Sequence, residues 1–415
     1  MFELVSARLK CVGLSIACIT LAVCVLRPSL LAQPHPGLIA SAQEPSSSSV
    51  TEAAPSEQAC QTRVNDTPEK LLECIQPSSL WSHLAQFQRI SDEHKGPDGH
   101  GNRDTGTAGY KASVDYVAKL MRQAGYHVTI QPYQINASDI TRTPKFSMPD
   151  QGYALTRYWL AAQPSDQPIV DYNLIAESRF GDPNHVVVVD AHLDSIFGAG
   201  MLDNASGSTT ILEIALNMAK TKTHNQLRYI WFGGEEIGLF GSAYYTTHLS
   251  SAERKRIAFD IDMDVTATPN FDIWIADPAN ASDVNQFPPN VVPQSKIGNK
   301  FFADYFTSIG VVSQPSSFGN DGTDSNSFAL IGIPDSGILT RQDCCKGAAE
   351  VAIWGGFLGN YEGTVPGNDG GCVDHSKMWC DNLSNNDPFV FGLASKASAF
   401  VTLKLANHVF KAKQP

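Results

Sequence analysis

A histidine and a group of carboxylates follow the apolar runs of this chain at short offsets. After Val186–Val189 comes Asp190-Ala191-His192-Leu193-Asp194, and then Asp203-Asn204-Ala205-Ser206-Gly207. Leu227–Phe232 leads into Gly233-Gly234-Glu235-Glu236, and Ile257–Met263 ends in Asp262-Met263-Asp264. His192 and Asp194 stand two apart, so in an extended segment their side chains face the same way. That suits an imidazole that binds a metal through one nitrogen while a carboxylate holds its other ring N–H. Glu235 and Glu236 follow two glycines that permit a tight turn, so their side chains diverge. One can bind a metal while the other accepts a proton from a metal-bound water. Asp203 lies in a loop entering a helix, where a carboxylate also serves as an N-terminal cap. Taken singly, each of these groups also fits a solvated strand-end turn. Together they form a set of nitrogen and oxygen donors, with no Gly-x-Ser-x-Gly nucleophile motif beside them. His, Asp and Glu donors suit zinc, and a carboxylate shared between two ions suits a two-metal hydrolase.

Short strands buried on both faces must position these residues. The runs Val186–Val189, Leu227–Phe232, Ile257–Met263 and Phe271–Ile275 are apolar or alternating. Between the first two, Ser208 to Lys220 places Ile211, Leu212, Ile214, Ala215 and Met218 on one side of a helix. Such strands alternating with helices indicate an α/β fold whose sheet is covered on both faces. Ligands then collect at the carboxyl ends of the strands, where the acids and the histidine stand. Ser113 to Ala124 predicts an earlier helix stopped by Gly125, Tyr126 to Tyr133 alternates like a strand, and a last helix is expected from Pro388 to about Lys411. With no internal repeat and no long linker after residue 79, residues 79–415 are expected to form one catalytic domain.

The composition narrows the class. A 415-residue chain that is 42% hydrophobic is neither disordered nor collagen-like. A net charge of −12 with scattered Lys and Arg argues against nucleic-acid binding. Arg8 and Lys10 precede an uncharged run from Cys11 to Leu26, and Ala40-Ser41-Ala42 has the small-x-small form of a cleavage site. Residues 1–42 are therefore expected to be a secretion signal, which makes the mature chain secreted, periplasmic or extracellular. The alternative is an uncleaved signal anchor that tethers the chain to a membrane. Cys11, Cys18 and Cys24 leave with the signal, and an even set remains, as an oxidising compartment favours. Its order suggests loops closed by Cys60 with Cys74 and by Cys372 with Cys380, leaving Cys344 and Cys345 as a vicinal pair. Residues 43–59 are rich in Ser, Glu, Pro and Ala, so residues 43–78 are expected to be a flexible tether carrying the Cys60–Cys74 loop.

With these residues assembled, the chain from about residue 100 onward resembles the secreted co-catalytic di-zinc aminopeptidases, the family of the bacterial leucine aminopeptidases. The resemblance is carried by Asn102-Arg103, Gly106-Thr107-Ala108-Gly109-Tyr110, Ala191-His192-Leu193-Asp194-Ser195, Leu202-Asp203-Asn204-Ala205-Ser206-Gly207, Gly234-Glu235-Glu236-Ile237-Gly238, Thr323-Asp324, Phe328 and Gly332-Ile333-Pro334. It implies a zinc-exopeptidase fold, a mixed and mostly parallel central sheet between two helical layers, holding two Zn2+ ions per chain. Position by position, it implies that Asp203 bridges the ions, that His192 and Asp264 complete one, and that Glu236 and His375 complete the other. Glu235 is then the general base and later the acid, and Asp194 orients His192. Asp264 fits the ligand position better than Asp262 because it precedes Pro269-Asn270 at the family's spacing. The family also implies a cis peptide at Asp203-Asn204.

The activity implied is that of a metallo-aminopeptidase, which hydrolyses the N-terminal peptide bond through a metal-bound hydroxide. Its partners are peptides with a free N-terminus, without nucleic acid or a stable membrane partner, and the chain is expected to be a monomer. The same fold also hosts carboxypeptidases, dipeptidases, other amide hydrolases, glutaminyl-cyclase-like transferases and non-catalytic binding ectodomains. Two positions depart from the family pattern. Asp374 precedes His375 where the family often has a Tyr that steadies the oxyanion, and Asn320-Asp321-Gly322 stands where some relatives carry an Arg near the substrate terminus.

Overall fold

In the computed structural model, residues 55–96, 99–136, 168–195, 198–317, 322–342, 345–361 and 381–410 are described. Eight strands form one sheet: β1 (His127–Ile135), β2 (Ile169–Glu177), β3 (Asp182–His192), β4 (Asn225–Phe232), β5 (Ile257–Met263), β6 (Trp274–Ala276), β7 (Gln314–Ser316) and β8 (Asp335–Leu339), in the order β1-β2-β4-β3-β5-β8-β6-β7. The centre, β4-β3-β5-β8, is parallel. β1 and β2 extend it as antiparallel strands on one side, and β6 runs antiparallel to β8 on the other, with β7 parallel to β6.

The helices are α1 (Glu57–Thr62), α2 (Pro68–Cys74), α3 (Pro77–Glu93), α4 (Ala108–Ala124), α5 (Ala205–Met218), α6 (Phe240–Thr247), α7 (Ser251–Arg256), α8 (Val291–Ser308), α9 (Ser325–Leu330), α10 (Ala348–Trp354) and α11 (Pro388–Ala406). Side chains alternate across the strands. Val187, Val189, Tyr229, Trp231, Phe259 and Ile261 join one apolar core with α3, α4, α5, α8 and α11. Val186, Val188, Ile230 and Phe232 meet Tyr245 of α6 and Phe328 of α9 on the opposite face. The result is the three-layer α/β sandwich expected from the doubly apolar runs. Every residue of α5 is buried, the polar Ser206, Ser208, Thr210, Glu213 and Asn217 included, as is most of the more apolar α11. α11 is long and apolar enough to cross a membrane, but here it is a core helix.

Local capping moves several expected boundaries. α4 begins at Ala108 because the Thr107 hydroxyl accepts from the Tyr110 N–H, and it stops at Gly125, whose φ of 92° is left-handed. α5 begins at Ala205, capped by Asn204, and ends at Met218. α11 ends at Ala406. Of the run Phe271–Ile275, only its end enters a strand, because Lys346 Nζ takes the carbonyl of Phe271 (2.6 Å) and pairs with Asp272 (3.2 Å).

The tether expected over residues 43–78 is folded from Glu57 onward. α1 and α2 are joined by the Cys60–Cys74 disulfide, and Leu71, Cys74 and Ile75 are buried. Asn65 Nδ2 donates to the Asn217 carbonyl of α5 at 2.7 Å. Both helices are short and dock on the main body. Cys345 is also disulfide-bonded. The expected signal at residues 1–42, the remainder of the tether, Cys344, Cys372 and Cys380 lie outside the described residues.

Candidate metal centre

β3 and β4 end level, with His192 in register with Phe232. The segments leaving them therefore start side by side. Asp194 uses this proximity: its Oδ2 accepts from Thr105 Oγ1 (2.8 Å) and from the Glu236 N–H (3.3 Å), and its Oδ1 accepts from the Glu235 N–H (3.3 Å). The same Oδ1 lies 3.5 Å from His192 Nδ1. One fully buried carboxylate thus fixes both the histidine and the Glu-Glu turn. The turn itself needs its glycines. Gly234 has φ of 67°, and a Cβ on Gly233 would collide with the Tyr110 hydroxyl and with Asp171 Oδ2.

With Nδ1 held, His192 Nε2 points at acids from three other segments. It lies 3.1 Å from Asp203 Oδ1, 3.3 Å from Asp264 Oδ1 and 4.0 Å from Glu235 Oε2. The donor atoms of His192, Asp203 and Glu236 all fall within 4.8 Å of one another. Five of the sequence-derived site residues, His192, Asp203, Glu235, Glu236 and Asp264, are therefore brought together, with Asp194 behind them. Asp262 turns elsewhere and accepts from the Ser325 N–H at 3.3 Å. His375, Asp374, Asn320 and Asp321 lie outside the described residues.

Asp203 does not cap α5. The cap is Asn204, whose Oδ1 accepts from the Gly207 N–H (2.8 Å) and the Val265 N–H (3.1 Å) while its Nδ2 donates to the Met263 carbonyl (2.9 Å). One side chain so ties the start of α5 to the segment carrying Asp264, and leaves the Asp203 carboxylate to face His192. The Asp203-Asn204 peptide is cis, as the resemblance implied.

Two supports have roles that the sequence did not suggest. Asp381 accepts from the N–H groups of Leu202 (2.8 Å) and Asp203 (3.0 Å). The buried guanidinium of Arg103 donates to the carbonyls of Leu193 (2.8 Å), Ala199 (2.7 Å) and Gly200 (2.8 Å), bracing the loop between His192 and Asp203. Burial brings Arg103 down to about 10, so it keeps its charge at neutral pH. Arg103 and Asn204 sit within recognisable motifs, which was a usable signal; Asp381 has none.

The centre concentrates acid in a low-dielectric site. Burial pushes Asp203 up to about 7, and burial together with neighbouring carboxylates raises Glu235 and Glu236 well above the usual range. Burial works against protonation of His192, but Glu235 and then Asp194, Asp203 and Asp264 overcome it and raise the imidazole well above its ordinary value. Such a site calls for compensating positive charge, and a mixed nitrogen and carboxylate donor set fits zinc. Beside Asp264, a recess is lined by Asp262, Thr323, Ile338 and Leu339.

This geometry defines an α/β protein with a candidate metal centre at the carboxyl ends of its central strands. Residues 173–350 match the family model of Peptidase family M28. The chain is 30% identical over 326 residues to leupeptin-inactivating enzyme 1 of Streptomyces exfoliatus, covering 78% of this chain and 60% of that protein. It is 35% identical over 233 residues to an aminopeptidase of Pseudomonas aeruginosa, covering 56% of this chain and 40% of that protein. The chain thus spans less than two thirds of the length of these curated relatives. A zinc aminopeptidase from Bacillus subtilis shares the fold at a TM-score of 0.55 and 17% identity, over 80% of this chain and 96% of that one.

Proposed function

We propose that the chain is a secreted, zinc-dependent aminopeptidase that removes residues from the free N-terminus of peptides. The observation that carries this reading is the convergence of Asp203 Oδ1 and Asp264 Oδ1 on His192 Nε2, with Glu236 in the same cluster. Two zinc ions would be held here by Asp203, His192, Asp264, Glu236 and His375. Zinc bound there supplies a Lewis acid for the scissile carbonyl and lowers the pKa of water. Glu235 takes a proton from the attacking water and returns it to the leaving amine. Asp194 keeps the His192 ring and the Glu235-Glu236 backbone in position. The remaining acids attract the ammonium group of a free N-terminus, which favours an aminopeptidase over a carboxypeptidase. The names of the similar proteins agree with this reading, and the Cys60–Cys74 disulfide supports an oxidising compartment.

The test is hydrolysis of matched peptides with free and acetylated N-termini, before and after chelation, alongside metal analysis. Cleavage of the free peptide alone, lost on chelation and restored by zinc, is expected. Cleavage restricted to the acetylated peptide overturns the reading.

A further inference from the structure

The Glu235-Glu236 turn is closed on itself. The Glu235 carbonyl accepts from the N–H groups of Gly238 (2.8 Å) and Leu239 (2.9 Å), and the Gly234 carbonyl accepts from the Phe240 N–H (2.9 Å). Residues 233–241 therefore form a compact unit, and its setting depends on what grips it from outside. Asp194 grips it from the side of the candidate centre, through the N–H groups of Glu235 and Glu236.

A second grip comes from β2. This strand pairs with β4 as far as Leu174 opposite Trp231, so Asn173 stands beside the point where β4 gives way to Gly233. The Asn173 side chain is fully buried. Its Nδ2 donates to the Gly241 carbonyl (2.9 Å) and to Gln131 Oε1 of β1 (3.0 Å), and its Oδ1 accepts from the Gly233 N–H (3.4 Å). Close packing marks the same point independently. A Cβ on Gly241 would stand 2.2 Å from the Gly233 carbonyl oxygen and 2.5 Å from Asn173 Oδ1, so both ends of the turn meet at one amide. Nearby, Ile237 of the turn packs with Tyr133 and Ile135 of β1. An apolar residue at 173 would fit that cluster but would leave Gly233 and Gly241 without these partners.

We propose that Asn173 is a positioning residue for the reaction: by fastening both ends of the turn to β2, it sets where Glu235 stands relative to the metal donors. This rests on the reading of Glu235 as the general base. A reacting group displaced by about 1 Å loses on the order of 10²-fold in rate.

The experiment compares the zinc-loaded full chain with Asn173→Ala, Glu235→Gln and the double variant. One readout needs no activity: amide hydrogen exchange followed by mass spectrometry. Exchange is expected to rise across 233–241 in Asn173→Ala, while β5 and α11 keep the protection they have in the unmodified chain. The other readout is kcat and KM on a peptide with a free N-terminus. Asn173→Ala is expected to lower kcat by about 10-fold to 100-fold with KM little changed, and to cause no further fall in the Glu235→Gln background. A role in stability alone would lower both backgrounds alike. Three results overturn the proposal: exchange across 233–241 that is unchanged or rises equally throughout the chain; an equal fall of kcat in both backgrounds; or a loss confined to KM. Failure of the aminopeptidase reading shows separately, as no cleavage of the free peptide by the unmodified chain, and hydrogen exchange then judges the hold of Asn173 on the turn. Should Asn173→Ala fail to fold, Asn173→Asp keeps the size and the acceptor but cannot donate to Gly241, and it takes the same place in the comparison.

Discussion

Asp381 holds the backbone of Asp203. Its two carboxylate oxygens take the N–H groups of Leu202 and Asp203, so a residue that faces His192 in the candidate centre is set in place by an acid 178 positions away. Burial raises Asp381, while those two backbone hydrogen bonds and Arg103 pull the other way and favour the charged form.

Replacing Asp381 with Ala leaves two N–H groups beside the centre without their charged acceptor. The expected cost is about 2 to 3 kcal/mol of stability and a loss of metal affinity on the order of 10-fold to 100-fold, as for other groups that position ligands. Thermal unfolding and zinc competition against a chelator measure the two effects. Unchanged zinc affinity would show that the Asp203 backbone needs no such anchor.

Glu235→Gln keeps the shape of the side chain and removes its ability to take a proton. Turnover is expected to fall by about 10²-fold to 10⁴-fold, with both zinc ions still bound by mass spectrometry. An active variant rejects the assignment of Glu235 as the base.

Gly233→Ala pushes a methyl group against the Tyr110 hydroxyl and Asp171. Overpacking of this kind costs about 1 to 3 kcal/mol, and the displaced turn carries Glu235 and Glu236 with it. Adding Tyr110→Phe removes the nearest clashing atom and should recover part of the lost stability and activity. A double variant no better than the single one would place the strain elsewhere.

Between α3 and α5, Ser79 Oγ donates to Glu213 at 2.8 Å, and between α3 and α4, His83 shares a 2.6 Å hydrogen bond with the Tyr116 hydroxyl. Burial brings Glu213 up to about 7 and His83 down to about 4. For Glu213, the folded value lies above the unfolded one, so its stabilising contribution is lost as pH rises from about 4.5 to about 7. For His83, the folded value lies below the unfolded one, so stability is lost as pH falls from about 6.5 to about 4. The two oppose each other across the shared range. Glu213→Gln removes one of them, so its Tm should gain on that of the unmodified chain as pH rises through 4.5 to 7 and then level off. A Tm difference independent of pH would mean that Glu213 is not held protonated.

The fold was legible because its signals are local. The runs Val186–Val189 and Leu227–Phe232, apolar on both faces, mark buried strands, and acids at the strand ends mark the edge where ligands gather. Choosing Asp264 over Asp262 needed a motif; in the structure Asp264 Oδ1 lies 3.3 Å from His192 Nε2, while Asp262 accepts from the Ser325 N–H. Asp381 escaped notice because it acts through backbone N–H groups distant in sequence, which leave no pattern. The folding of residues 57–74 escaped for a different reason: six or seven helical residues are too few to show a period, and their helices gain stability from docking on the body.

Arg103 and Asp381 flank residues 173–350, the stretch that carries the family signature and nearly all the donor side chains. The stretch matched by the family model is therefore smaller than the unit that holds the centre together. An excised 173–350 fragment would retain His192, Asp203, Glu235, Glu236 and Asp264 yet lose the braces on either side of the loop that joins them. Transplanting this centre to another scaffold would require moving those two distant residues as well.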